Sequence, residues 1–165
     1  MDGYKKLLVR VKEKKGLVFA LKLLDRISVA VTALVYLSLF VAMPPLENLY
    51  VTLRLVLIPG VPFVLISLLR ALIDAKRPYE VYEIYDIPPK NRHGCSFPSR
   101  HAFSAFSIGT LAFGFFQILG VIGILFGAAL AVSRILLGKH FPRDVIAGAI
   151  IGTVTSVLGL IIMNI

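Results

Sequence analysis

The chain has 165 residues, 58% of them hydrophobic, with a mean hydropathy of +0.86. These values exclude an ordinary soluble domain and describe one compact polytopic membrane protein. Eighteen Lys and Arg against nine Asp and Glu give a net charge of +9, which suits anionic headgroups or phosphate ligands.

No nucleic-acid recognition motif accompanies that charge, so nucleic acid is not an expected partner. The single cysteine, Cys95, excludes an intramolecular disulfide and reads as a loop residue. The start of the chain does not read as a cleavable signal peptide. Its basic stretch is long, and no small-residue cleavage site follows a short apolar core.

Residues 4–24 alternate Leu7, Leu8, Val11, Leu17, Val18 and Leu21 with Lys5, Lys6, Arg10, Lys12, Lys14, Lys15 and Lys22. This pattern predicts a basic amphipathic helix on an anionic membrane surface, broken at Gly16. Residues 1–26 are therefore read as a membrane-surface segment and 27–165 as the transmembrane domain.

Ile27 to Met43 carry no charge over 17 residues and end at Pro44-Pro45, a short first span, with Lys22 and Arg26 reaching back to the headgroups. Leu46 to Tyr50 form a turn. Val51 to Ile73 form the second span, with Arg54 and Arg70 near its ends and kinks expected at Pro59 and Pro62.

Residues 74–98 are the longest polar connection. Tyr79, Tyr82 and Tyr85, three apart, would share one face of an interfacial turn. Lys76, His93, Lys139 and Arg143 read as loop or lipid-facing charges.

Ala102 to Ser133 lacks Asp, Glu, Lys and Arg for 32 residues. As one helix it would extend about 48 Å, against the roughly 30 Å of one crossing, so it must fold back, with a hairpin expected at Gln117 to Gly120. That gives a third span from Ser99 to Phe116 and a fourth from Leu119 to Leu137. A fifth runs from Asp144 to Met163. The expected fold is all-α: a bundle of about five transmembrane helices plus the N-terminal interfacial helix. Gly123 and Gly127, and Gly148 and Gly152, are spaced for close helix packing, within one chain or between chains, which leaves the oligomeric state open.

Three polar constellations fall at span ends. Five spans place all of them on one membrane face. The first is Arg70, six residues, then Arg77-Pro78. The second is Pro98-Ser99-Arg100-His101. The third is Ser133-Arg134, five residues, His140, three residues, Asp144. Ionisable groups at span ends are costly unless they meet water or one another, which makes them functional candidates.

The chemistry they suggest is phosphoryl transfer. A neutral His140 imidazole can attack phosphorus to give a phosphohistidine, with Asp144 accepting a hydrogen bond from its other ring nitrogen. Pro142 disfavours helix at Phe141, so His140 should precede the fifth helix and Asp144 lie in its first turn. His101 is the candidate acid for the leaving oxygen and then the base for water. Ser99 is placed to cap the third helix, whose N-terminus suits an anion. Arg70, Arg77 and Arg134 would clamp phosphate oxygens. Arg100 is either a fourth phosphate contact or a headgroup charge. No carboxylate cluster calls for a metal, and no cofactor is expected.

In order and topology the three constellations resemble the signature motifs of the type 2 phosphatidic acid phosphatase (PAP2) family, over roughly residues 54–160. The third motif matches at every defining position. Arg70 stands where the family usually has Lys, and Arg100 where it usually has Gly. The resemblance implies a metal-independent phosphatase acting on a lipid phosphate monoester or diphosphate, such as phosphatidic acid, phosphatidylglycerol phosphate or a polyprenyl diphosphate, whose tail stays in the bilayer. The alternatives are a lipid phosphotransferase and a non-catalytic binder of anionic lipid. The protein is expected in the cell membrane. The N-terminal cations lie on the site's face, so the positive-inside rule puts that site at the cytoplasmic surface.

Overall fold

The computed structural model describes residues 2–43, 48–84 and 93–163. Among them are seven helices and no strand: α1 (Asp2–Glu13), α2 (Lys15–Ala42), α3 (Leu49–Ile73), α4 (Pro78–Tyr82), α5 (Arg100–Phe115), α6 (Gln117–Leu136) and α7 (Pro142–Ile162). The Pro44-Pro45 stop, Leu46 and Glu47 of the turn after it, Tyr85 and the charges of residues 86–92 lie outside the described residues.

The protein is a membrane-embedded helical bundle. The helices beginning at Leu49, Gln117 and Pro142 are long and apolar enough to cross a membrane. The other two expected spans correspond to the apolar half of α2 and to α5, which has 16 residues. The outward faces are apolar, with Leu34, Leu65, Leu72, Ile118, Leu125 and Ile161 all more than half exposed. Such a surface suits lipid and not water.

α5 is the central helix, packed by α2, α3, α6 and α7. Small residues on its neighbours make this possible. A Cβ at Gly148 would sit 2.4 Å from the Ser99 carbonyl, one at Gly152 2.4 Å from that of Phe103, and one at Gly123 2.9 Å from the Gly109 Cα. Both glycine pairs therefore pack inside one chain, as backbones approach closely in lipid. Ser107 and Ser156 join α5 to α7 by a buried hydroxyl pair at 2.7 Å. Val35, Leu39, Leu55, Ile58, Leu111 and Ala112 form the apolar core. On α5 that core lies ten residues beyond His101, about 15 Å along the helix axis.

Three boundaries differ from expectation. The N-terminal break falls at Lys14, and α2 then runs unbroken through residue 26 into the first span. The apolar stripe of α1 is packed on protein: Leu8 and Val11 are buried, and Val11 meets Leu21 and Leu137. The hairpin between α5 and α6 is Phe116 alone, in extended backbone, because Gly120 lets the next helix start directly against the Phe113 backbone. α7 begins at Pro142, whose ring presets the first helical turn.

Candidate active site

At the α5 N-terminal end a polar cavity of about 520 Å³ opens. Arg70, Arg77, Arg100, Arg134, His101 and His140 line it, together with Ser67, His93 and Cys95. Six of the eight expected site residues thus share one wall-to-wall space. The other two, Ser99 and Asp144, are fully buried and do not line it.

Local rules set each position. Ser99 is the N-cap of α5, its hydroxyl accepting from the Ala102 N–H, which starts the helix two residues before His101. The Ser99 N–H donates to the Asp144 carbonyl at 2.8 Å, tying α5 to α7. α6 ends in a turn around Gly138 at φ 66, with the Lys139 N–H returning to the Arg134 carbonyl at 3.0 Å. That turn delivers His140 to the cavity. Tyr4 of α1 supports it from outside, its hydroxyl 2.8 Å from the Ile135 carbonyl and 3.2 Å from that of His140.

The loop before α5 is held from several sides. Its Gly94 N–H donates to Glu80, its Cys95 N–H to Asp74 and its Ser96 N–H to the Ala75 carbonyl. Arg70 is 5% exposed and donates to the carbonyls of Cys95 and Pro98. A guanidinium has five N–H donors, so Arg70 can hold this loop and still line the cavity. Arg77 donates through Nε to the Gly94 carbonyl at 3.0 Å. Arg100 is exposed at the start of α5, its guanidinium 5.8 Å above the Phe63 ring.

His140 is 2% exposed. Its Nδ1 does not reach Asp144 directly: the gap to Oδ2 is 3.9 Å. Ser96 stands between. Its carbonyl lies 2.9 Å from Nδ1, and its hydroxyl donates to Asp144 Oδ2 at 2.5 Å. A carbonyl can only accept, so Nδ1 carries the proton and Nε2 is the unprotonated nitrogen. Burial, then the cations Arg77, Arg134 and Arg70, push the His140 pKa far below its usual value, while the Ser96 contact opposes them weakly. This favours the neutral ring that the role expected of His140 requires. The expected His140–Asp144 hydrogen bond is thus replaced by a Ser96-mediated one. Asp144 also accepts from the Phe141 N–H at 3.0 Å, which fixes the first turn of α7.

Sequence reasoning missed three residues. Ser96 sits two positions before Pro98 and carried no signal of its own. Asp25 was hidden among cations in the N-terminal segment, yet it is buried against Arg134 and Lys139. Its signal was an acidic residue at the start of an apolar span. Glu80 accepts from the backbone of Arg77 and Gly94 and meets His93 at 3.1 Å. Lys139 is accordingly no lipid-facing charge, and His93 and Cys95 belong to the cavity wall. Of the tyrosines, Tyr79 is buried and Tyr82 stacks on Tyr4 and Phe141.

Comparison with known proteins follows this geometry. The sequence profile described as the PAP2 superfamily matches residues 51–164. Bacitracin transport permease protein BcrC of Bacillus licheniformis is 43% identical over 61 residues, covering 37% of this chain and 30% of that protein. Lipid A 4'-phosphatase of Bacteroides thetaiotaomicron is 31% identical over 93 residues, covering 52% of this chain and 41% of that protein. The chain thus spans less than half the length of these relatives. The crystal structure of a transmembrane PAP2-type phosphatidylglycerolphosphate phosphatase from Bacillus subtilis superposes with a TM-score of 0.69 at 19% identity, covering 95% of this chain and 81% of that one. This last likeness is one of fold.

Proposed function

Since this chain belongs to the PAP2 superfamily, we propose that it is an integral membrane phosphatase that hydrolyses a lipid phosphate monoester or diphosphate. One observation carries the reading. A neutral, buried histidine has its Nδ1–H fixed on a carbonyl, in a cavity lined by four arginines and two further histidines.

The proposed steps follow from that arrangement. Arg70, Arg77, Arg134 and Arg100 bind the phosphoryl oxygens and offset the charge that builds in the transition state. His140 Nε2 attacks phosphorus, and the bond from phosphorus to the lipid oxygen breaks. His101, entering the cycle as an imidazolium, gives its proton to that oxygen and becomes neutral, and the lipid alcohol (or lipid phosphate, from a diphosphate) departs. Positive charge developing on the His140 ring is met by the Ser96 carbonyl and, through the Ser96 hydroxyl, by Asp144. Water then gives a proton to His101 and attacks phosphorus. The N–P bond breaks and inorganic phosphate leaves. No step calls on a metal.

The cavity mouth and α1 lie at one end of the bundle, since Tyr4 touches the turn that carries His140. The N-terminal cations therefore share the site's face, and by the positive-inside rule that face is cytoplasmic, in a cell membrane. On this reading residues 1–26 form a surface segment whose basic side meets anionic headgroups while its apolar side packs on the bundle.

The test is phosphate release from a panel of lipid phosphates in detergent with EDTA, wild type beside His140→Ala. Turnover by wild type and none by the variant supports hydrolysis through His140. Wild type without release, but with phosphate passed to an acceptor alcohol, supports phosphotransfer. Full activity in His140→Ala removes His140 as nucleophile.

A further inference from the structure

The family profile begins at residue 51, so α1 and α2 lie outside it. α2 nevertheless touches Arg134, which lines the cavity. Asp25 is 6% exposed, a position an ionised carboxylate keeps only with strong compensation. Its Oδ1 is 3.0 Å from Arg134 Nε, and its Oδ2 is 2.8 Å from Lys139 Nζ and 3.5 Å from an Arg134 terminal nitrogen. The Ser133 hydroxyl lies 3.5 Å from Oδ1. Arg134 is itself 7% exposed and lines the cavity. Lys139 immediately precedes His140 in the chain.

The geometry is that of a fork held by one edge. Asp25 pairs with the Nε edge of the guanidinium through both its oxygens, which ties that edge to α2. An unheld arginine has several rotatable bonds and would sample many orientations at an entropic cost when it binds. The same carboxylate ties Lys139, which fixes the turn on the other flank of the catalytic histidine.

We propose that Asp25 is a positioning residue: it orients Arg134 toward the cavity and anchors the Lys139–His140 turn. The N-terminal helices are then part of the phosphate-handling machinery and not an appended membrane anchor. The proposal rests on the reading of the cavity as a phosphoryl site.

The test is a double-mutant cycle on kcat/KM with Asp25→Asn, Arg134→Gln and the pair, in detergent-purified full-length protein. Asp25→Asn is expected to cost about 10- to 100-fold, the range of a lost charge-assisted contact at a catalytic group. In the Arg134→Gln background the same change costs less than about threefold, because its object is gone. A purely structural role lowers the folded fraction and multiplies through the cycle, so equal costs in both backgrounds overturn the proposal. An Asp25→Asn protein with wild-type kcat/KM overturns it too.

If Asp25→Asn does not fold, Asp25→Glu enters the same cycle, with the charge kept but displaced by one methylene. If wild type does not hydrolyse lipid phosphates, the cycle is run on the melting-temperature shift caused by inorganic phosphate. There the phosphatase reading has failed while the positioning claim stands or falls on coupling. Wild type without any phosphate-induced shift overturns both.

Discussion

Replacing Ser96 by Ala is the most informative small change at this site. It removes one oxygen and leaves the backbone carbonyl that holds His140 Nδ1–H at 2.9 Å. What is lost is the 2.5 Å hydrogen bond to Asp144 Oδ2 and the 3.5 Å contact of the hydroxyl with His140 Nδ1, and Oδ2 keeps the Phe141 N–H as its remaining described hydrogen bond. A buried hydrogen bond to a charged group is worth about 1.5–3 kcal/mol, and about 1.4 kcal/mol is tenfold in rate. If that bond strengthens as the ring gains charge, kcat falls about 10- to 150-fold. KM should stay near wild type, because Ser96 is fully buried and does not line the cavity. Asp144→Asn should fall further, and the double variant should be no worse than Asp144→Asn. The assay is initial-rate phosphate release from a lipid phosphate in mixed micelles, with folded protein verified by thermal melts. Wild-type kcat in Ser96→Ala beside an inactive Asp144→Asn would refute the relay: Asp144 would then act on His140 directly, across the present 3.9 Å gap.

Four further outcomes follow. The folded His140 resists protonation while the unfolded chain takes up a proton below its usual pKa of 6.5. Stability should therefore fall as pH drops below that value, by up to about 1.4 kcal/mol per unit. Denaturant titrations at pH 7 and pH 5.5 should show this slope in wild type and a shallower one in His140→Gln. Gly148→Ala should destabilise by about 1–3 kcal/mol because its Cβ meets the Ser99 carbonyl at 2.4 Å. Gly60→Ala in α3 meets nothing within 4 Å and should be neutral or stabilising by up to about 1 kcal/mol, which melting temperatures in detergent will resolve. A reporter active only outside the cytoplasm, fused after residue 165, should be active if five spans leave the catalytic face inside. Activity confined to a cytoplasm-dependent reporter would reverse the topology.

Much of this site was legible because its chemistry is written in residue types that a membrane span tolerates poorly. Charges and imidazoles at the ends of apolar runs mark one face once the spans are counted, and Arg70, Arg77, His101, Arg134 and His140 did meet in one cavity. The Pro142 and Ser99 rules for helix starts placed His140 ahead of α7 and His101 in the first turn of α5. The contacts between those residues were less readable. Ser96 acts through its hydroxyl and its backbone carbonyl together, and no side-chain pattern reports the carbonyl. Asp25 lies 109 residues before Arg134, and only the packing of α2 on α6 brings them together. The turn at Phe116 was misplaced because Gln117 and Gly120 carry the stronger turn propensity, while the close α5–α6 contact decided the matter.

The proposed hydrolysis carries the phosphoryl group on His140 Nε2. To detect it, the protein is mixed with a lipid phosphate labelled in its phosphoryl group and quenched in alkali within the first turnovers. Peptides are then mapped by mass spectrometry. An acid-labile, alkali-stable phosphoryl label is expected on the peptide containing His140, absent from His140→Ala and lost on chasing with unlabelled substrate. Turnover with no label on that peptide under conditions that slow the second step, or label confined to His101, would contradict it.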